Sequence, residues 1–156
     1  MPSQPSRAVT PLKTRLLVIA PSVACFVAAC ATPALVLDGK EHTVMFGAQA
    51  LLEGPLAVLI GQLSWLANPL WLLAALLVLL SRFKGAAILS VLAFAVGNHA
   101  WALFGREIPG DEGGVTKLYL TSLHLGFYLW LLSFLNLAVG ALIARSRTEQ
   151  EQPALD

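Results

Sequence analysis

Two histidines stand inside otherwise apolar sequence, His99 and His124, with Asn98, Thr121 and Tyr128 close to them. Neutral imidazole is a common axial ligand of haem iron, and its charge changes near physiological pH. The sharpest chemistry for this pair is ligation of a b-type haem between two helices. A milder one is a quinone-like or proton-linked site lined by Asn98, Thr121 and Tyr128. The third reading asks nothing special: each ring hydrogen-bonds a neighbour near the lipid headgroups. Glu53, followed by Gly54-Pro55, is the remaining ionisable candidate. It either snorkels to water or approaches the histidines, where its charge would favour a protonated imidazole.

No Walker-type glycine loop, HExxH, CxxC, CxxCH or GxSxG pattern occurs. The common nucleotide, zinc, thiol-redox, c-haem and serine-hydrolase chemistries therefore lack support. No catalytic residue is assigned, and no metal ligand beyond the two histidines. Cys25 and Cys30 lie on different faces of one helical stretch, so they are poor partners for a disulfide and read as inert thiols. Lys13 and Arg15, a short apolar core and Val27-Ala28-Ala29-Cys30 also resemble a bacterial lipoprotein signal, with Cys30 carrying the lipid. Against this, apolar sequence continues to Leu37, beyond the length of a signal core.

These residues need elements that can hold them in lipid. The chain is 57% hydrophobic and 12% charged over 156 residues. A soluble domain carries about twice that charge fraction. The expected fold is an all-α integral membrane protein of four transmembrane helices in an antiparallel bundle. The spans are placed at about 16–37, 63–83, 86–104 and 118–144, each near the roughly 20 residues that cross a bilayer. An additional interfacial or partly re-entrant helix over 44–62 separates the first two. Residues 1–15 read as a disordered cytoplasmic tail, although an acid-free leader also fits a transit peptide loosely, and 145–156 as a second cytoplasmic tail.

Lysine and arginine set the span count. With four spans, Arg7, Lys13, Arg15, Arg82, Lys84, Arg145 and Arg147 share one side, against Lys40, Arg106 and Lys117 on the other. A fifth span across 44–67 would even out that bias and put Glu53 near mid-membrane. Both termini are therefore placed in the cytoplasm. Asn68-Pro69 reads as a helix start, with Asn68 as N-cap. A helix beginning there is short of the membrane thickness, so the second span is expected to be kinked or broken.

Small residues recur at Ala86, Ser90, Ala93, Gly97 and Ala100 in span three. They recur again at Ser122, Gly126, Ser133 and Gly140 in span four, and such stripes let helices approach closely. Lys117, Thr121, His124 and Tyr128 form a polar stripe if span four is helical from its first residue. Gly47, Gly54 and Gly61 give a third small-residue repeat. Asp111 and Glu112, beside a glycine pair, read as a solvated loop.

The sequence thus predicts a non-enzymatic inner-membrane protein, an accessory or interaction subunit that packs through its small-residue seams against a larger complex or against itself. The bilayer is its first partner, nucleic acid is not expected, and no cofactor is required. The alternatives are a redox-type protein binding quinone or b-type haem through His99 and His124, and a small solute or proton pathway. Alanine- and leucine-rich, lysine-poor sequence suggests a bacterium with GC-rich coding.

Overall fold

The computed structural model describes residues 11–39, 42–59, 61–109 and 117–150. The described chain is mostly helical, with a small four-stranded sheet at one end. In order it runs α1 (Leu12–Ala31), β1 (Pro33–Asp38), β2 (Thr43–Phe46), α2 (Gly47–Leu59), a 3₁₀ turn (Leu63–Leu66) and α3 (Ala67–Leu79). It continues with α4 (Phe83–Gly97), a second 3₁₀ turn (Asn98–Leu103), β3 (Glu107–Pro109), β4 (Lys117–Leu123) and α5 (Leu125–Gln150).

Three helical stretches are long and apolar enough to cross a membrane: Leu12–Ala31, Phe83–Leu103 and Leu125–Gln150. The pair Gly47–Leu59 and Leu63–Leu79, bent by 117°, adds a fourth if it acts as one span. Their outward residues are apolar, as suits a lipid-facing surface. Leu72, Leu73 and Leu76 of α3, Ile88, Val91 and Leu92 of α4, and Val139, Leu142 and Ile143 of α5 are all exposed. So many exposed apolar side chains in contiguous faces would aggregate in water and are at ease in lipid.

Inside, the helices meet through small residues. Ala67, Ala74, Ala86, Ala93 and Ala141 have no exposed surface and surround the fully buried Val78, Phe134 and Leu137. Both seams read from the sequence close this chain's own bundle. Ser90, Ala93 and Gly97 are buried between α3 and α5, and a Cβ on Gly97 would press on Leu131 at 2.9 Å. Serines and tryptophans link the helices by hydrogen bonds. Trp71 Nε1 donates to Ser22 Oγ (2.8 Å), which donates to the Ser133 carbonyl (2.7 Å), and Ser133 Oγ donates to the Trp130 carbonyl (2.6 Å). In hydrocarbon an unpaired hydroxyl or indole N–H is costly, so these bonds fix helix register as well as joining helices. α1 is thus a working part of the bundle, through Ser22 and through Phe26 stacked on Trp71 at 4.4 Å. The lipidation reading of Cys30, which requires that helix to be cleaved away, has no use for those contacts.

The sheet corrects the all-α expectation. Its order is β2-β1-β4-β3 with antiparallel pairs throughout, so β1 from the first loop lies beside β4 from the last. Helix one ends at Ala31 and not at Leu37, because a residue before proline is pushed out of the helical region. Thr32 is extended (φ −116°, ψ 155°), its side chain bonding back to the Ala28 carbonyl at 2.9 Å. The last helix begins at Leu125 and not at 118. Lys117, Tyr119 and Thr121 are exposed while Leu120 is buried, a two-residue alternation that suits a pleated strand and no helix. The stripe of Lys117, Thr121, His124 and Tyr128 is accordingly divided between a strand, a junction and a helix.

Three smaller boundaries also move. The segment expected to be interfacial helix from residue 44 starts as strand β2 and turns helical only at Gly47. Helix α1 already begins at Leu12, within the expected tail. Helix α5 continues to Gln150, where the Arg145–Glu149 pair (2.7 Å, one turn apart) supports it beyond the apolar stretch. Asp111, Glu112 and the first ten residues lie outside the described residues.

The chain order also sorts the charges. The turn between α3 and α4, with Arg82 and Lys84, lies at the end of the bundle away from the sheet. There Arg15 donates to the Leu79 carbonyl at the C-terminus of α3, where exposed carbonyls favour a cation.

Candidate functional site

Helix α2, the sheet, and the sheet-side ends of α1, α3 and α5 line a half-open cavity of about 420 Å³. That volume falls in the range of small-molecule pockets. Ala34, Leu37 and Met45 of the sheet roof it, Ala50 and Ala57 of α2 form one wall, and Trp65, Asn68 and Trp130 contribute from the bundle. Two glycines make the enclosure possible. A Cβ on Gly54 would overlap the Trp65 indole, so α2 can lie against that ring only without a side chain. A Cβ on Gly126 would sit 2.8 Å from the Thr32 and Pro33 carbonyl oxygens, where the first turn of α5 presses on the start of β1. Helix α2 also exposes Leu52, Leu56 and Leu59, a helical face of spacing four and three, of which Leu56 borders the cavity.

The wall is mostly apolar, and its tryptophan and asparagine groups are bonded to one another or to the backbone. Trp130 Nε1 donates to Asn68 Oδ1 (2.9 Å), Asn68 Nδ2 donates to the Trp65 carbonyl (3.0 Å), and Trp65 Nε1 donates to the Leu51 carbonyl (2.9 Å). Asn68 was expected to cap the helix; it lies inside α3, buried, and cross-links α3 to α5 instead. Gln62 is the exception. It is 6% exposed and lines the cavity; its Oε1 lies 2.8 Å from His99 Nδ1, and its Nε2 has no hydrogen-bond partner. With Nδ1–H donating to the carbonyl oxygen, the amide nitrogen remains a donor held inside an apolar wall. A buried donor left unpaired costs about 1–3 kcal/mol.

The histidines do not share a partner. His99 is half-buried in the second 3₁₀ turn and bonds Gln62. His124 is exposed at the junction of β4 and α5, with Nε2 3.0 Å from Ser122 Oγ and its own carbonyl accepting from the Phe127 N–H. Of the other residues singled out, Glu53 lines the cavity and accepts from Gln49 Nε2 at 3.0 Å. Asn98 donates to the Phe94 carbonyl (2.7 Å) one turn back, and Thr121 Oγ1 donates across the sheet to the Val36 carbonyl (3.1 Å). Tyr128 is exposed on α5, its ring edge-on to Phe127. The structure therefore brings Glu53 to the cavity, ties His99 to the cavity-lining Gln62, and leaves His124, Thr121 and Tyr128 on the outer surfaces of strand and helix. Among the described residues no group of three or more His, Cys, Asp or Glu side chains is placed to hold a metal ion.

Gln62, Asn68, Trp65 and Trp130 are the site residues that sequence reading missed. One signal was available: Gln62 is a polar residue after Gly61 in an apolar run, next to a turn that Gly61 makes at φ +85°. Away from the cavity, the sheet edge carries a charged cluster. Lys117 Nζ lies 2.7 Å from Glu107 Oε2, and Tyr119 Oη donates to Glu107 Oε1 at 3.0 Å. The hydrogen bond from Lys117, then that from Tyr119, holds the Glu107 carboxyl below its usual range, and the Lys117 ammonium is held above its own by Glu107.

Comparison with protein-family models, with curated proteins and with solved structures gives no match. The chemistry of the residues carries the functional reading.

Proposed function

We propose that this chain is a non-enzymatic integral membrane protein that holds a lipophilic small molecule in the cavity between α2, the sheet and the bundle. It spans the membrane four times, with the bent α2–α3 pair as the second span, both termini cytoplasmic and the sheet on the outer side of a bacterial inner membrane. The observation that carries the binding role is the cavity itself: an apolar, tryptophan-lined space of about 420 Å³ beside a lipid-exposed helix. A half-open apolar cleft of this size is the kind of space in which small molecules bind. The orientation rests on the gathering of Lys13, Arg15, Arg82, Lys84, Arg145 and Arg147 at the end opposite the sheet.

The accessory-subunit reading drew on small-residue seams, and those seams are occupied within the chain. A redox role through the histidine pair would need the two rings at one ligand, whereas His99 faces Gln62 and His124 faces Ser122. The quinone-like option moves to the cavity, where Gln62, bonded to His99, is the polar group that would meet a ligand.

Native mass spectrometry tests the proposal. Wild-type protein taken from membranes in mild detergent is expected to carry a small apolar adduct. Ala57→Trp, which fills the cavity from α2, is expected to fold and lose it. A wild-type protein that is bare after gentle extraction and takes up no added hydrocarbon probe would remove the binding role.

A further inference from the structure

Resting on the cavity reading, we propose that the ligand is recognised through an uncharged carbonyl oxygen on an apolar body, which accepts a hydrogen bond from the Gln62 amide nitrogen, with His99 as its positioning residue. Three observations converge. Gln62 is more than nine-tenths buried, lines the cavity, and has its amide nitrogen without a partner. The other end of the same amide is tied to His99 Nδ1 at 2.8 Å, which removes the rotational freedom that would let it satisfy itself elsewhere. The tryptophan and asparagine donors of the wall are already spent on Leu51, Trp65 and Asn68, so among its buried side chains Gln62 holds the open donor, beside a half-buried Ser64 and an exposed Glu53 that also line the cavity.

A buried neutral donor in an apolar wall selects among lipophilic molecules in a definite way. It rewards one acceptor and gives nothing to a hydrocarbon. An anionic headgroup gains too little from one neutral amide to leave water, and among the described residues the cavity is lined by no basic side chain and by one acid, Glu53. Two membrane-soluble sources present the required group, the ring carbonyl of a quinone and the ester carbonyl of an acyl lipid. The cavity is large enough for a ring or for one end of a lipid, with the remaining chain passing out beside Leu52, Leu56 and Leu59.

Matched ligands separate these ideas from each other and from the cavity reading. The full-length protein in one detergent is titrated with decylbenzoquinone against decylbenzene, and with a diacyl phospholipid against its dialkyl ether. Dissociation constants are read by native mass spectrometry. The carbonyl member of at least one pair is expected to bind roughly tenfold more tightly, the size of one net hydrogen bond to a buried donor. Preference within the first pair identifies a ring carbonyl, and preference within the second an ester. In Gln62→Leu the preference is expected to vanish while decylbenzene still binds. In His99→Phe, which leaves the amide in place but unanchored, the preference is expected to shrink. Equal binding within both pairs by the wild type would overturn this proposal and leave the cavity reading standing. Absence of binding by all four ligands would overturn both.

Discussion

Gly54 shows how a single side chain can decide whether the cavity exists. Its missing Cβ lets the Trp65 indole lie against α2 and reach the Leu51 carbonyl. Gly54→Ala would force the ring aside, and overpacking of this kind costs about 1–3 kcal/mol. The variant is expected to melt at lower temperature in detergent, and Trp65→Leu in the same chain should recover part of the loss. That non-additivity is the signature of two residues sharing one space. An unchanged melting temperature for Gly54→Ala would show that the ring is free to move. Asn68 makes a related point. Its neighbour Pro69 suggested a cap, yet a carboxamide with a donor and an acceptor serves better between two helices, where it takes the Trp130 N–H and gives to the Trp65 carbonyl.

At the scale of elements, the long apolar helices were legible and the sheet was not. The runs within Phe83–Leu103 and Leu125–Gln150 follow from hydropathy alone, since only internally hydrogen-bonded backbone is tolerated in lipid. The strands escaped because β1 and β4 adjoin those runs and share their leucines, so a hydropathy window absorbs them. The period-two pattern of Lys117, Tyr119 and Thr121 was present but short, and it also fits a helical stripe through Lys117, Thr121, His124 and Tyr128. Only the pairing of β1 with β4 decides between the two, and a contact across 85 residues (Thr121 to Val36) leaves no local trace. The cavity was illegible for the same reason, being made where α2, the sheet and three helix ends converge. Labelling checks the strand directly. Single cysteines placed from 117 to 121 in a chain without Cys25 and Cys30 should react with a water-soluble maleimide at 117, 119 and 121 and be shielded at 118 and 120. Reactivity with a period near 3.6 would restore the helix.

At the scale of the whole molecule, charge and sheet mark opposite ends. The basic residues Arg15, Arg82, Lys84, Arg145 and Arg147 cluster away from the strands, and the acid-bearing sheet edge with Glu107 lies at the other end. Positively charged loops are retained on the cytoplasmic side. A green fluorescent protein fused after the last residue is expected to fluoresce, and alkaline phosphatase at the same place to be inactive. The reverse pattern would put the sheet and the cavity on the cytoplasmic face.

The sheet also sets an order of assembly. β1 leaves the first helix, yet its partner β4 is synthesised only after four of the five helices. Until then β1 has a neighbour in β2 on one side and an open edge on the other. Chains grow from the N-terminus, and distant pairings form late because their closure entropy is met last. The earlier helices can therefore pack against one another while the sheet is still half built, and β3, which pairs only with β4, waits with it. The last strand to be made is thus the one that joins both halves of the sheet, and its arrival turns two separate loops into a single structure.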